Sequence, residues 1–152
     1  MASGQAFQVQ GYELAADRLY HEASHFWVEP VGPERARIGL DPLGRETSGD
    51  VIVVSFEPLG TTVAAGAPFG HIEAAKFVGP LSSPVSGTIV DHNADVLGSP
   101  GLLNEDPMRN WLVELELDGT AQLEALLSGE QQVSEWFAAE IKRFRTQGAI
   151  AE

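Results

Sequence analysis

Apolar and polar residues alternate along most of the chain, and the period lengthens only near the two ends. Ala36, Ile38 and Leu40 alternate with Arg37 and Gly39, which predicts a strand. Phe26-Trp27-Val28 runs into Pro30 and a turn at Val31-Gly32-Pro33. The β-branched run Asp50 to Phe56 predicts the strongest strand. Short extended pieces follow at Thr61–Val63, Phe69–Ala74, Val85–Asp91 and Trp111–Leu117, separated by glycine-rich turns. Asp41-Pro42 predicts a helix start, because a carboxylate caps free amides and proline suits the first helical position; this turn should end near Gly49. A short helix is expected over Tyr12–Tyr20 from the spacing of Leu14, Ala15 and Leu19, and a helix with loop over Asn93–Asp106. Leu123, Leu126 and Leu127 form a short helical face ended by Gly129. Val133, Trp136, Phe137, Ile141 and Phe144 then recur at helical spacing, with a mixed-charge opposite face that fits packing on the body of the protein.

Many short strands with turns between them predict a mainly β fold, a small barrel or sandwich, carrying short helices and a C-terminal amphipathic helix. The expected organisation is a flexible leader over residues 1–11, one domain over 12–130, and a C-terminal helix with a short tail over 131–152. Gly60–Gly66 (GTTVAAG) and Ser86–Asn93 (SGTIVDHN) read as distant copies flanking a central hairpin.

With 152 residues and a net charge of −13, the chain would be repelled by nucleic acid and by anionic membrane surfaces. It has no cysteine, so thiol chemistry must come from a cofactor. Its N-terminus lacks a secretion-signal pattern and no apolar run is long enough to span a bilayer, so a cytoplasmic protein is expected. His21-Glu-Ala-Ser-His25 matches the H-E-x-x-H zinc motif. That motif needs a continuous helix, and strand-like residues follow at once, which makes it a chance match. His71 and His92 fall on expected strands, the serines lack a nucleophile elbow, and no phosphate-cradling glycine loop occurs. The chain reads as a non-enzyme.

Only two lysines occur, Lys76 and Lys142. Lys142 lies in the terminal helix, whereas Lys76, between Ala75 and Phe77, is expected at the tip of a tight hairpin bracketed by glycines. An ordinary lysine amine is protonated near neutrality, so this one suits modification by a separate ligase better than nucleophilic catalysis.

Glu73-Ala-Ala-Lys76 followed by Ser83-Pro-Val-Ser-Gly87 resembles the lipoyl-attachment hairpin of the glycine cleavage system H protein family. The resemblance extends over roughly residues 20–130, through Tyr20, His25-x-Trp27-Val28, Ile38-Gly39-Leu40, Gly49-Asp50-Val51-Ile52, Leu103-Asn-Glu-Asp-Pro107 and Trp111-Leu112. It implies a barrel-sandwich hybrid with lipoate in amide linkage on Lys76. It also implies that Glu73 guides the ligase, with Ala75 and Phe77 at the hairpin tip. Partners implied are a lipoate-protein ligase or lipoyl transferase and the enzymes that load and discharge the arm. Residues around the lysine, at Phe26, and in the Asp41–Glu46 loop depart from the family pattern while the barrel signals are kept. These departures are similar to the H-protein-like lipoate-binding proteins of sulfur-oxidising prokaryotes. That resemblance implies an arm shuttling sulfur intermediates or electrons with a heterodisulfide-reductase-like complex and dihydrolipoamide dehydrogenase. The alternative is the glycine-cleavage enzymes, with an aminomethyl group carried between decarboxylase and aminomethyltransferase. An unmodified binding module on the same fold is a third reading. A biotin carrier is disfavoured because Ala75 and Phe77 stand where methionines are normal.

Overall fold

In the computed structural model, which describes residues 5–151, eleven strands, four α-helices and one 3₁₀ turn pack around two apolar clusters. The strands are β1 (Ala6–Val9), β2 (Tyr12–Ala15), β3 (Leu19–Tyr20), β4 (Phe26–Gly32), β5 (Arg35–Leu40), β6 (Val51–Phe56), β7 (Thr62–Val63), β8 (Pro68–Ala74), β9 (Val78–Ser82), β10 (Gly87–His92) and β11 (Val113–Leu117). The helices are α1 (Pro42–Ser48), α2 (Ala94–Gly98), α3 (Leu102–Glu105) and α4 (Glu130–Thr146). A six-stranded sheet has the order β3-β4-β5-β11-β10-β7 and a three-stranded sheet the order β6-β8-β9. The mainly β expectation holds.

Inward residues of both sheets build the first cluster: Val28, Ile38, Phe69, Ile72, Ile89 and Leu115 are all buried in it. Strand alternation makes this possible, since every second side chain of β8 faces in. The two look-alike segments pair with each other, Thr62 opposite Thr88 and Val63 opposite Gly87, so their similarity reflects matched positions in one antiparallel ladder.

The second cluster sits under α4, where Val133, Phe137 and Ile141 bury against Leu14, Tyr20, Trp27 and Leu43. Its other wall corrects the expectations for the N-terminus. Residues 6–15 form the β1–β2 hairpin, closed by a two-residue turn at Gln10 and Gly11 with φ of 50° and 92°. Two positive φ values in succession match the primed turns that suit strand twist. The leader reading therefore fails over 6–11, while residues 1–4 lie outside the described residues. Tyr12–Tyr20 is β2, a turn and β3, because pairing with β1 and β4 outweighs the helical spacing of Leu14, Ala15 and Leu19. Tyr20 fixes the bend: its hydroxyl donates to the Ala15 carbonyl at 3.1 Å and accepts from the Ala15 amide at 3.0 Å.

A second difference lies before α4. Ala121–Ala125 is a 3₁₀ turn, and Leu127 leaves it to exchange backbone hydrogen bonds with Tyr20, each at 2.9 Å. Among the described residues no helix is long and apolar enough to cross a membrane.

Candidate functional site

Glu73 pairs with Val78 at the end of the β8–β9 ladder, so Ala74 to Phe77 make the reversal. The Ala74 amide donates to the Phe77 carbonyl at 2.9 Å and closes it. Two further backbone bonds strap this tip to its neighbour: the Ala75 amide donates to the Asp50 carbonyl at 2.9 Å, and the Lys76 amide donates to the Ser48 carbonyl at 2.8 Å. The local sequence explains the strap. Asp41 caps α1 through its Oδ1, which accepts from the Gly44 amide at 2.9 Å, with Pro42 in the first turn. The helix ends at Gly49, whose φ of 80° favours glycine. A side chain there would stand 3.0 Å from the Lys76 amide nitrogen. Asn104 of α3 holds the adjoining strand, accepting from the Val51 amide at 2.8 Å and donating to its carbonyl at 3.2 Å.

Lys76, Ala75 and Phe77 are all exposed, as the sequence leads one to expect of a hairpin tip, with Phe77 at 44%. The Lys76 amine has no hydrogen-bond or ion-pair partner among the described residues. Glu73 is also exposed and lies in one cross-strand row between Val53 and Val78, which are 44% and 64% exposed. The outer face beside the lysine is thus an apolar row with a single carboxylate.

On the inner side of the tip, Lys76 and Phe77 border a groove of about 360 Å³. Its floor and walls come from the Ala23–Phe26 turn and β4 start, from α1, from Ile72, Pro80 and Leu81 of the three-stranded sheet, and from Phe144 of α4. An alkyl arm attached to Lys76 starts at this groove, and the lining of Phe26, Leu40, Ile72, Leu81 and Phe144 suits a disulfide-bearing hydrocarbon chain.

His25 at the groove edge carries the electrostatics. It is 4% exposed and adopts a φ of 60°, in a turn where the zinc-motif reading would need helix. His21 instead meets the Ser24 hydroxyl at 2.7 Å. The Nδ1 of His25 faces Asp41 Oδ2 at 2.7 Å, and its Nε2 faces Glu140 Oε1 at 2.7 Å. With a carboxylate at each nitrogen, both must donate, so the ring is an imidazolium. Burial is the largest single influence and works against this charge; Asp41, followed by Glu140, outweighs it and holds the pKa above the usual 6.5. Glu140 is held below its usual value, first by Arg143, which donates to it from Nε at 2.9 Å and from a terminal nitrogen at 2.7 Å, and also by His25. Trp136 stacks on the His25 ring with centroids 4.8 Å apart.

Sequence reasoning located the hairpin and the Asp41 cap but not this junction. Asp41 serves cap and imidazole through different oxygens, and Glu140 is 115 residues from His25.

The chain matches the family profile described as Glycine cleavage H-protein over residues 18–139. It is 36% identical over 111 residues to the glycine cleavage system H protein of Mycobacterium avium, covering 72% of this chain and 84% of that one. The H protein of Mycolicibacterium smegmatis is 38% identical over 115 residues, covering 75% and 87%. A crystal structure of a glycine cleavage system H protein from Mycobacterium marinum superposes with a TM-score of 0.67 at 28% identity, covering 80% of this chain and 98% of that one. The two facing sheets are accordingly the barrel-sandwich of lipoyl carriers. The chain belongs to the glycine cleavage H-protein family.

Proposed function

We propose that this protein is a lipoyl carrier, itself without catalytic activity, that bears lipoate in amide linkage on Lys76 and serves as the H component of a glycine cleavage system. The observation that carries the reading is Lys76 itself: an exposed, unpartnered amine on a hairpin tip held by two backbone bonds to its neighbour, at the mouth of an apolar groove. Lipoate supplies a disulfide that cycles to a dithiol, chemistry that a chain without cysteine lacks. The protein's own residues position and present. The strap fixes where the arm begins, and Glu73, set between Val53 and Val78, offers a separate ligase a charged mark on an apolar row. Ala75 keeps the approach to the amine open, while Phe77 gives an incoming enzyme an apolar contact. Tethering raises the arm's effective concentration at any enzyme that docks there.

The names of the relatives support glycine-cleavage enzymes as partners over a sulfur-oxidation set. One observation favours the sulfur reading: the groove beside the lysine is apolar and Phe77 is exposed. Intact-mass measurement of the protein from its native host tests the carrier role. One lipoyl increment is expected on the wild type and none on Lys76→Arg; an unmodified wild type from a host with active lipoylation overturns it. Glycine-dependent turnover with purified decarboxylase and aminomethyltransferase then separates the pathways. A lipoylated carrier inert in that assay points to the sulfur enzymes.

A further inference from the structure

The groove that begins at Lys76 has no carboxylate in its lining. Two acids stand close behind it, and both are already engaged. Asp41 gives one oxygen to the Gly44 amide and the other to His25. Glu140 gives one oxygen to His25 and Arg143 and the other to Arg143. Glu73 points away, since the alternation of β8 turns Ile72 inward and Glu73 out. Asp50 is 83% exposed, pairs with Arg45 at 3.3 Å and is not part of the lining.

We propose that this groove sorts the arm by charge, resting the lipoyl group when its sulfurs are uncharged, as dithiolane or dithiol, and leaving an ammonium-bearing arm in solvent. The inference rests on the lipoyl-carrier reading of Lys76. An ammonium moved from water into an apolar lining without a counter-ion loses its hydration and gains no partner, whereas a dithiolane loses little and gains apolar contact. The nearest anions cannot turn to the newcomer without abandoning the buried imidazolium, which would then be unpaired. Part of the wall lies past the span matched by the family profile, which ends at residue 139: Phe144 lines the groove and Glu140 occupies the imidazole. The selectivity is therefore a property of this chain's own C-terminal helix as well as of the shared barrel.

The test uses the full chain, lipoylated, reduced and alkylated at the arm. Because the protein has no cysteine, the arm holds the only thiols. Iodoacetamide adds an uncharged group and 2-bromoethylamine an ammonium of similar size, each displacing halide as the thiol loses its proton. Side-chain methyl resonances of Leu40, Ile72 and Leu81 report groove occupancy against Lys76→Arg as the armless reference. The disulfide, the dithiol and the carbamidomethyl arm should shift them, and the aminoethyl arm should leave them at the reference positions. Pro80→Asp, which places a carboxylate at an exposed position of the lining, should let the aminoethyl arm in. Equal shifts from charged and uncharged arms, no shift from any arm of verified mass, or an aminoethyl arm still excluded by Pro80→Asp would each overturn the charge sorting. A wild type that never gains lipoyl mass would instead bring down the carrier reading itself.

Discussion

Two cation-bearing side chains sit on either side of one groove and are held in opposite ways. At Lys76 the backbone is fixed and the side chain is free: its amide is bonded to Ser48, its neighbour's to Asp50, and its amine to nothing among the described residues. At His25 the side chain is fixed and the backbone carries the cost. Both ring nitrogens are engaged at 2.7 Å, while the φ of 60° lies in the left-handed region. A residue that must be handed to another protein is anchored by its main chain, leaving its functional group available. A residue that must fasten two distant elements spends its functional group inside and bends the chain to do so.

The largest expected effect lies on the fastened side. His25→Ala leaves two buried carboxylates without their cation, and urea denaturation near pH 6 should show a loss of about 3–5 kcal/mol. His25→Gly should recover about 1 kcal/mol of that loss, because glycine accepts the left-handed backbone; this separates the backbone share from the side-chain share. The pH dependence has a definite sign. A histidine whose pKa folding raises adds its full stability below about 6.5, the ordinary value, and loses it as pH climbs through the raised one. Glu140, held low, contributes above its ordinary 4.5 and loses that as pH falls. The deficit of His25→Ala should accordingly shrink between pH 6 and pH 9, and a constant deficit would mean that the ring is neutral.

A smaller effect is expected at the strap. Gly49→Ala forces a side chain onto a φ of 80° and to within 3.0 Å of the Lys76 amide nitrogen, costing about 1–3 kcal/mol. It should also slow lipoylation, because the tip must shift to make room. Smallest of all is Lys76→Arg, which should leave the urea midpoint where it was while abolishing the modification. A destabilised Lys76→Arg would break the comparison, since it would show the lysine side chain to be structural.

What the sequence disclosed follows the same division. The hairpin tip, the Asp41 cap and the Gly49 stop are readable because each depends on residues a few positions apart, where turn and capping chemistry decide the outcome. The N-terminal hairpin was not readable: Leu14, Ala15 and Leu19 fall at helical spacing, and only pairing with β1 and packing beneath Phe137 make β2 a strand. Its one local signal was Gln10-Gly11, a pair suited to a two-residue turn. The His25 junction was less readable still. No spacing rule connects residue 25 to residue 140, and the Glu140 carboxylate, assigned to the polar face of its helix, turns out to lie against the buried ring.

The strap on the hairpin has a consequence for transport. A pivot bonded at two successive residues does not translate, so the cargo's reach is limited to the length of one side chain and whatever is attached to it. Beyond that radius only rotation and diffusion of the entire molecule can move it. A carrier of this kind visits its partners in turn, and each encounter must be brief enough for the next to follow.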